Sequence, residues 1–175
     1  MSASSQFSYL SNQMATTHRL RALLVCFVAI AMLFATPIFA DAENDAAQLK
    51  YRQTLMSGVG ADMSAIGTIL KNRLALPGHV ESHARQLAAS AKLIGAAFKN
   101  DLGQDATDAQ PKIWSDWSGF EAAIADLDKA ANALADAAAS ADPKVLGPAV
   151  KGLGKSCGGC HKAYRKPKEE SYKNQ

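Results

Sequence analysis

The sequence predicts an all-α protein, an antiparallel four-helix bundle that follows a signal peptide. After residue 41, no segment alternates between apolar and polar side chains as a half-buried strand would, and β-branched residues are sparse. Alanine, leucine, lysine and glutamine, which favour helices, are plentiful. Glycine, proline and polar residues divide the chain into four amphipathic segments with mostly short connections, which is typical of a bundle.

Residues 1–40 have the features of a secretory signal peptide. The basic segment HRLR precedes the apolar run ALLVCFVAIAMLFA, and small residues follow, so we expect cleavage after Ala40 or Ala42 and a periplasmic mature protein. The residues before Met14 fit neither a signal peptide nor a domain, which makes Met14 an alternative start. A retained membrane anchor is less favoured, because the run is short for a span of about 20 residues.

Removal of residues 1–40 leaves one domain, residues 41–175, with almost no net charge. The chain has 19 Lys and Arg residues, two of them in the removed segment, so 17 remain against 16 Asp and Glu. That balance argues against nucleic acid as a partner. Cys26 is also removed, so the predicted mature chain keeps Cys157 and Cys160.

The first two predicted helices carry apolar side chains at helical spacing. The first runs from about Asn44 to Asn72, and the second from Pro77 to near Asn100. Arg52 stands on the apolar side of the first helix, where a charge needs a partner. The apolar positions are Leu49, Met56, Val59, Met63, Ile66 and Leu70 in the first helix and Val80, Leu87, Ala91, Ile94 and Phe98 in the second.

The polar segment 101–110 is predicted to be a loop, and two helices follow it. The third helix opens at Pro111. The fourth begins after the capping pair Asp142-Pro143, and Pro167 stops it near residue 166. Pro148 predicts either a kink or a later start. The apolar positions are Ile113, Trp117, Phe120, Ile124, Leu127, Ala131 and Leu134 in the third helix and Val145, Leu146, Val150 and Leu153 in the fourth.

Four glycines interrupt the fourth helix, at positions 152, 154, 158 and 159. Each costs up to about 1 kcal/mol relative to alanine. Two explanations remain open: a bulky flat group lies against this helix where side chains would clash, or the helix is simply irregular.

The segment CGGCH at 157–161 has the C-x-x-C-H pattern of covalent haem attachment. Positions i, i+3 and i+4 of a helix share one face, so Cys157, Cys160 and His161 project to the same side. The thiols can form thioethers with the two vinyl groups of a haem, and the imidazole can reach its iron. Arg165 lies one turn further on that face, where its guanidinium can meet the haem propionates. One motif predicts one haem c.

Three alternatives explain this segment less well. A thioredoxin-like site expects neighbouring strands. A zinc site needs further ligands, for which His79, His83 or carboxylates are the candidates; otherwise we expect both histidines at the surface. A disulfide between Cys157 and Cys160 leaves the adjacent histidine and glycines without a role.

Essentially the whole predicted mature chain resembles the class II c-type cytochromes, most of all the cytochrome c′ family. KYRQTLM, PKIWSDW and GKSCGGCHKAYRK stand in the order that this family shows. The resemblance implies a four-helix bundle, often a homodimer, with haem near one end and no substrate turnover.

The resemblance also implies roles for nine residues. Cys157 and Cys160 match the thioether positions, His161 the proximal iron ligand, and Arg165 the basic residue beside the proximal face. The others lie upstream: Arg52 and Gln53 match a pair that approaches the haem edge and propionates, Met56 the distal face, Phe98 an aromatic that closes that face, and Asp108 a loop residue near the haem periphery.

Met56 separates two functional hypotheses. In cytochrome c′ an apolar side chain crowds the sixth site, and five-coordinate iron can bind nitric oxide or carbon monoxide. In low-spin relatives of the c556 kind, a first-helix methionine ligates the iron and makes an electron carrier. The Arg52-Gln53 pair favours the first hypothesis. Trp114 and Trp117 are expected in the core.

Both hypotheses predict contact with redox partner proteins. The basic positions near the C-terminus suit an acidic partner, although charged termini are usually only solvated; they are Lys162, Arg165, Lys166 and Lys168. A third hypothesis, outside haem chemistry, is a helical adaptor stapled by a disulfide.

Overall fold

The computed structural model describes residues 37–103, 105–140 and 142–174, with side chains from Ala42 onward. The chain divides into two units, Met1–Ala46 and Ala47–Gln175. The predicted signal peptide lies outside the described residues up to position 36, as does the alternative start at Met14. None of the described helices is both long enough and apolar enough to cross a membrane.

Four long helices and one short helix make up the described fold. They are α1 (Pro37–Asn72), α2 (His79–Ala97), the short α3 (Lys112–Ser115), α4 (Trp117–Ala139) and α5 (Pro143–Tyr164). Short 3-10 helices follow at Lys168–Glu170 and Tyr172–Asn174. In the described ranges the only β-type pairing is an isolated bridge between Ala109 and Arg165. The all-α bundle is therefore confirmed.

The third predicted helix is divided at Asp116. Its backbone angles of φ −129° and ψ 53° are not helical, so α3 ends and α4 begins there. The Asp116 N–H donates to the Lys112 carbonyl at 2.9 Å, while the Asp116 carbonyl accepts from the Phe120 N–H at 3.0 Å. One residue thus closes one helix and opens the next.

The haem-motif helix, α5, contains Pro148 in its interior and continues through it, so the later start is excluded. It ends at Tyr164, earlier than predicted, because the next residues pair with the loop before α3. The Lys166 N–H donates to the Asp108 carbonyl at 2.7 Å, and the Gln110 N–H donates to the Tyr164 carbonyl at 3.0 Å.

The core forms where α2, α4 and α5 pack, together with one side of α1. All five predicted apolar positions of α2 are buried, and Leu153 of α5 is fully buried. Val145, another apolar position of this helix, is 44% exposed and does not belong to the core. In α3 and α4, the predicted apolar positions that are buried are Ile113, Phe120, Leu127, Ala131 and Leu134.

The apolar side of α1 has two parts. Leu55, Ile66 and Ile69 are buried in the core. Most of the predicted stripe is only half-buried, since its members line a cavity rather than the core; these are Leu49, Met56, Val59 and Met63.

One of the two histidines expected at the surface contacts a side chain of another helix. His79 is exposed as predicted. His83 is half-buried, and its Nδ1 lies 2.8 Å from Asp62 Oδ1 of α1. The pair joins α1 to α2.

Candidate haem-binding site

The site is positioned by the start and the middle of α5. Asp142 caps the helix, because its Oδ1 accepts a hydrogen bond from the Lys144 N–H at 2.8 Å, and Pro143 occupies the first turn as predicted. Leu153, fully buried, anchors the helix to the core one turn before the motif. Cys157 and Cys160 therefore project into the bundle on a fixed face.

A cavity of about 490 Å³ lies beside this face, between α1, α5 and the loop around Asp108. It brings together all nine residues that the sequence singled out: Arg52, Gln53, Met56, Phe98, Asp108, Cys157, Cys160, His161 and Arg165. Their roles toward a haem stay predictions, but their common location is a property of the fold.

The cavity suits a largely apolar group of cofactor size. Its volume falls in the range of roughly 300–1,000 Å³ that is usual for cofactor pockets. Ser156 Oγ, on the same wall as the thiols, is buried without a hydrogen-bond partner among the described residues. Apolar side chains supply most of the remaining lining, among them Val59, Met63, Ile94, Phe120, Ile124 and Leu127. Two thiols and an imidazole on one wall, facing such a lining, are what haem c requires.

The motif's side chains have altered acid–base properties. Cys157 and Cys160 are half-buried free thiols. Burial raises the pKa of both, and the neighbouring Cys157 raises that of Cys160 further. The pKa of His161 is lowered, first by desolvation and then by the positive charge of Arg165, although the imidazole is partly exposed. The lowered pKa favours the neutral imidazole, which is the form that ligates a metal.

The glycines of α5 do not line this cavity. Positions 152, 154, 158 and 159 are exposed, and a Cβ atom added at any of them would meet nothing within 4 Å. The first of the two explanations for these glycines, that a flat group lies against them, is therefore wrong.

Arg52 forms hydrogen bonds with backbone carbonyls at the end of α2. It is 3% exposed, its Nε donates to the Ala97 carbonyl at 2.6 Å, and its Nη2 donates to the Asn100 carbonyl. The guanidinium carbon lies 5.1 Å from the ring centre of Phe98 and 5.7 Å from that of Trp114. A cation at a helix C-terminus stabilises the exposed carbonyls there.

The loop around Asp108 is tied to α1 and α5. Gln53 Nε2 donates to the Ala106 carbonyl at 2.9 Å. Arg165 Nη2 donates to Asp108 Oδ2 at 3.1 Å. Burial by itself raises the pKa of Asp108, but hydrogen bonds from Ser171, Arg165 and Tyr172 outweigh it, so the pKa lies below its ordinary value.

Two cavity residues and one residue beside the cavity have places that were not anticipated from the sequence. Trp114, expected in the core, is half-buried, and its Nε1 donates to the Phe98 carbonyl at 2.8 Å beside the cavity. Tyr172 and Lys173 of the polar tail line the cavity itself. A tail without apolar periodicity gives no signal of this packing; an aromatic residue beyond the last helix was the only hint.

Comparison with known proteins agrees with this geometry. A family model described as Cytochrome C' matches residues 47–165. Cytochrome c' of Rhodospirillum rubrum is 34% identical over 143 residues, which cover 81% of this chain and 97% of that protein. Cytochrome c-556 of Agrobacterium tumefaciens is 35% identical over 121 residues, covering 67% of this chain and 94% of that protein.

The solved structures include a nitric oxide complex of a mutant of cytochrome c prime from Alcaligenes xylosoxidans. It is 27% identical, covers 70% of this chain and 97% of its own, and has a TM-score of 0.63. The family model covers α1 from residue 47 onward, all of α2 to α5 and the C-x-x-C-H segment. The chain belongs to the cytochrome c′ family, whose members carry covalently bound haem c.

Proposed function

We propose that this protein is a periplasmic monohaem cytochrome c′ with His161 as axial ligand and a distal site open to nitric oxide or carbon monoxide. The observation that carries the proposal is that two thiols and an imidazole line one cavity together with apolar side chains. The lowered pKa of His161 favours its neutral form. The bound haem would supply the iron that takes up a gas molecule or an electron.

The residues of the chain prepare the cavity for that chemistry. Cys157 and Cys160 provide the two attachment sulfurs, and His161 keeps a nitrogen lone pair available. The apolar side chains of α1, such as Val59 and Met63, exclude water from the interior. An apolar lining on the distal side would favour weakly polar diatomic gases over water, which would lose its hydrogen bonds there.

Two relatives support the proposed gas-binding function over the electron-carrier hypothesis. The cytochrome c′ of Rhodospirillum rubrum matches more of this chain than the c-556 of Agrobacterium tumefaciens does. A nitric oxide complex has been solved for a mutant of the similar cytochrome from Alcaligenes xylosoxidans.

The second candidate function is a low-spin electron carrier with Met56 as the sixth ligand. Met56 lines the cavity together with His161, and a relative with 35% identity is named cytochrome c-556. A thioether ligand would raise the reduction potential and close the iron to gases.

An absorption spectrum of the reduced holoprotein, recorded with and without carbon monoxide, separates the two. We expect a broad high-spin band that shifts on adding the gas, and little change of either spectrum in Met56→Ala. Met63→Ala, which removes the other cavity-lining methionine of α1, is the matched control. A sharp low-spin band that ignores the gas in wild type but not in Met56→Ala would contradict the open site.

Export and partners complete the proposal. The basic segment and apolar run before Ala40 support removal of residues 1–40 and work in the periplasm. Membership of the cytochrome c′ family supports a homodimer that exchanges electrons with redox proteins. N-terminal sequencing and size-exclusion chromatography of the exported protein test cleavage and dimerisation.

A further inference from the structure

The polar tail after α5 folds back onto the cavity. Ser171 is 6% exposed, and its Oγ donates to Asp108 Oδ2 at 3.1 Å. The Tyr172 N–H donates to Asp108 Oδ1 at 3.1 Å. Asn174 Nδ2 closes the tail on itself by donating to the Lys168 carbonyl at 2.6 Å. One carboxylate on the loop therefore holds the segment 171–173 in place.

Three long cationic side chains line the cavity, and two are committed to protein groups. Arg52 donates to the Ala97 and Asn100 carbonyls, and Arg165 is paired with Asp108. The third is Lys173, whose Nζ lies 5.8 Å from the ring centre of Tyr172. In the part of the chain that the structure describes, no carboxylate forms an ion pair with Lys173.

A haem brings two carboxylates into this cavity. A partly buried carboxylate is stable only with hydrogen-bond donors or a cation beside it, and charge-assisted pairs are the strongest of these. The Arg52 guanidinium already donates to two carbonyls, and the charge of Arg165 is shared with Asp108, whereas the Lys173 ammonium has no ion-pair partner among the described residues.

We propose that residues Ser171 to Lys173 are part of the haem site, with the Lys173 ammonium pairing with a haem propionate and Asp108 holding the segment in position. This inference rests on the proposed function, because it requires a haem in the cavity. Lys173 acts here as a positioning and charge-compensating residue rather than as an iron ligand.

Carbodiimide coupling of the purified holoprotein tests the contact directly. This reagent joins a carboxylate to an amine that touches it, with loss of one water molecule. After proteolysis, we expect the haem-bearing peptide to be joined through a propionate to the peptide containing Lys173. The product should disappear in Lys173→Gln, persist in Lys168→Gln, which changes an exposed tail lysine outside the cavity lining, and decrease severalfold in Asp108→Asn.

The reduction midpoint potential gives a second measurement. Loss of a nearby positive charge favours oxidised over reduced iron, so Lys173→Gln should lower the potential, while Lys168→Gln should shift it less because Lys168 lies outside the cavity lining. Absence of the cross-link, or equal shifts in the two variants, would overturn the proposal. A protein that carries no haem, or whose reduced spectrum is low-spin, fails the proposed function instead, so the two failures are distinguishable.

Discussion

Arg52 caps a helix to which it does not belong. Its buried guanidinium donates to the Ala97 and Asn100 carbonyls at the end of α2. Its place on the apolar side of α1 was visible in the sequence. Its partners were not, because backbone carbonyls are the same at every position and leave no mark on the pattern of side chains.

Replacement of Arg52 by methionine should lower the free energy of unfolding by about 2–3 kcal/mol. The substitution keeps much of the volume but removes every donor, which leaves buried acceptors unpaired. Arg85→Met is the matched control, since Arg85 is about half exposed and pairs with Glu81 one turn away, where the loss should stay below roughly 0.5 kcal/mol. Urea unfolding of the holoproteins measures both, and equal losses would contradict a capping role.

Gly119 is restricted by the contacts of a neighbouring hydrogen bond. Tyr164 Oη donates to Asp116 Oδ2 at 2.9 Å, and a Cβ atom on Gly119 would lie 2.5 Å from that hydroxyl and 2.6 Å from the carboxylate. Gly119→Ala should therefore destabilise the protein by about 1–2 kcal/mol, because the hydrogen bond must open. In a Tyr164→Phe background the cost should be smaller.

Gly95 offers a control of opposite sign in the same measurement. A Cβ atom there would meet only Ile124 Cδ1, at 4.0 Å, which is ordinary contact. Gly95→Ala should raise the free energy of unfolding by roughly 0.5–1 kcal/mol, as expected for a helix interior. Equal effects at both positions would show that the Tyr164–Asp116 pair does not set the cost.

At the scale of elements, periodicity predicted the helices better than their ends. Ile113, Trp117 and Phe120 keep helical spacing across the break at Asp116, so apolar pattern alone cannot reveal that α3 and α4 are separate. The end of α5 was missed for a related reason. The carbonyls of Tyr164, the last residue of α5, and of Arg165 accept hydrogen bonds from Gln110, some fifty-five residues earlier. Local helix propensity does not encode such a distant contact.

The loop carrying Asp108 should make stability depend on pH in the acid range. The folded-state pKa of Asp108 is lowered, so its contribution is present above the ordinary carboxyl pKa of about 3.9 and is lost as pH falls through the folded value. The difference in unfolding free energy between wild type and Asp108→Asn should be largest near pH 7 and shrink below about pH 4. Denaturant unfolding across that range measures it.

A control for this pH effect is available on α4. Asp126 is exposed, and Asp126→Asn should leave the pH profile of the wild type almost unchanged. A constant difference between wild type and Asp108→Asn at all pH values would mean that the ionised carboxylate does not hold the loop to α5 and the tail.

On the scale of the whole molecule, the bundle contains a cavity of about 490 Å³ that its apolar side chains do not fill. A group bound only to the folded state at a local concentration 1,000 times its dissociation constant adds about 4 kcal/mol of stability. Joint replacement of Cys157 and Cys160 by alanine removes both thioether bonds, so acidified solvent should extract the haem. The replacement should also lower the melting temperature by roughly 10 °C once the haem has left.

The single replacements Cys157→Ala and Cys160→Ala separate attachment from packing. Each keeps one thioether, so the haem should stay on the chain through extraction while its absorption bands shift. Extraction of haem from the wild type to the same extent as from the double variant would contradict covalent attachment.

The overall architecture and the contents of the site were largely predictable, for different reasons. A helix that buries one face repeats apolar side chains at the helical period. This repeat made the four helices predictable, together with most core positions, such as Leu87 and Leu134. The motif brought Cys157 and Cys160 to one face through helix geometry alone. The folded tail and the engaged His83 depend on single polar contacts between distant segments, and such contacts have no periodic signature.

Positions 158 and 159 make the outer wall of the motif helix unusually thin. Between the two sulfur-bearing residues no side chain projects outward, and both positions are exposed with no neighbour within 4 Å of an added Cβ. A protein surface that docks on this strip comes nearer to the helix backbone, by the length of one side chain, than it would at a position that carries a long side chain. Electron tunnelling weakens steeply with separation, so leucine at either position would lengthen the path without touching a single lining residue.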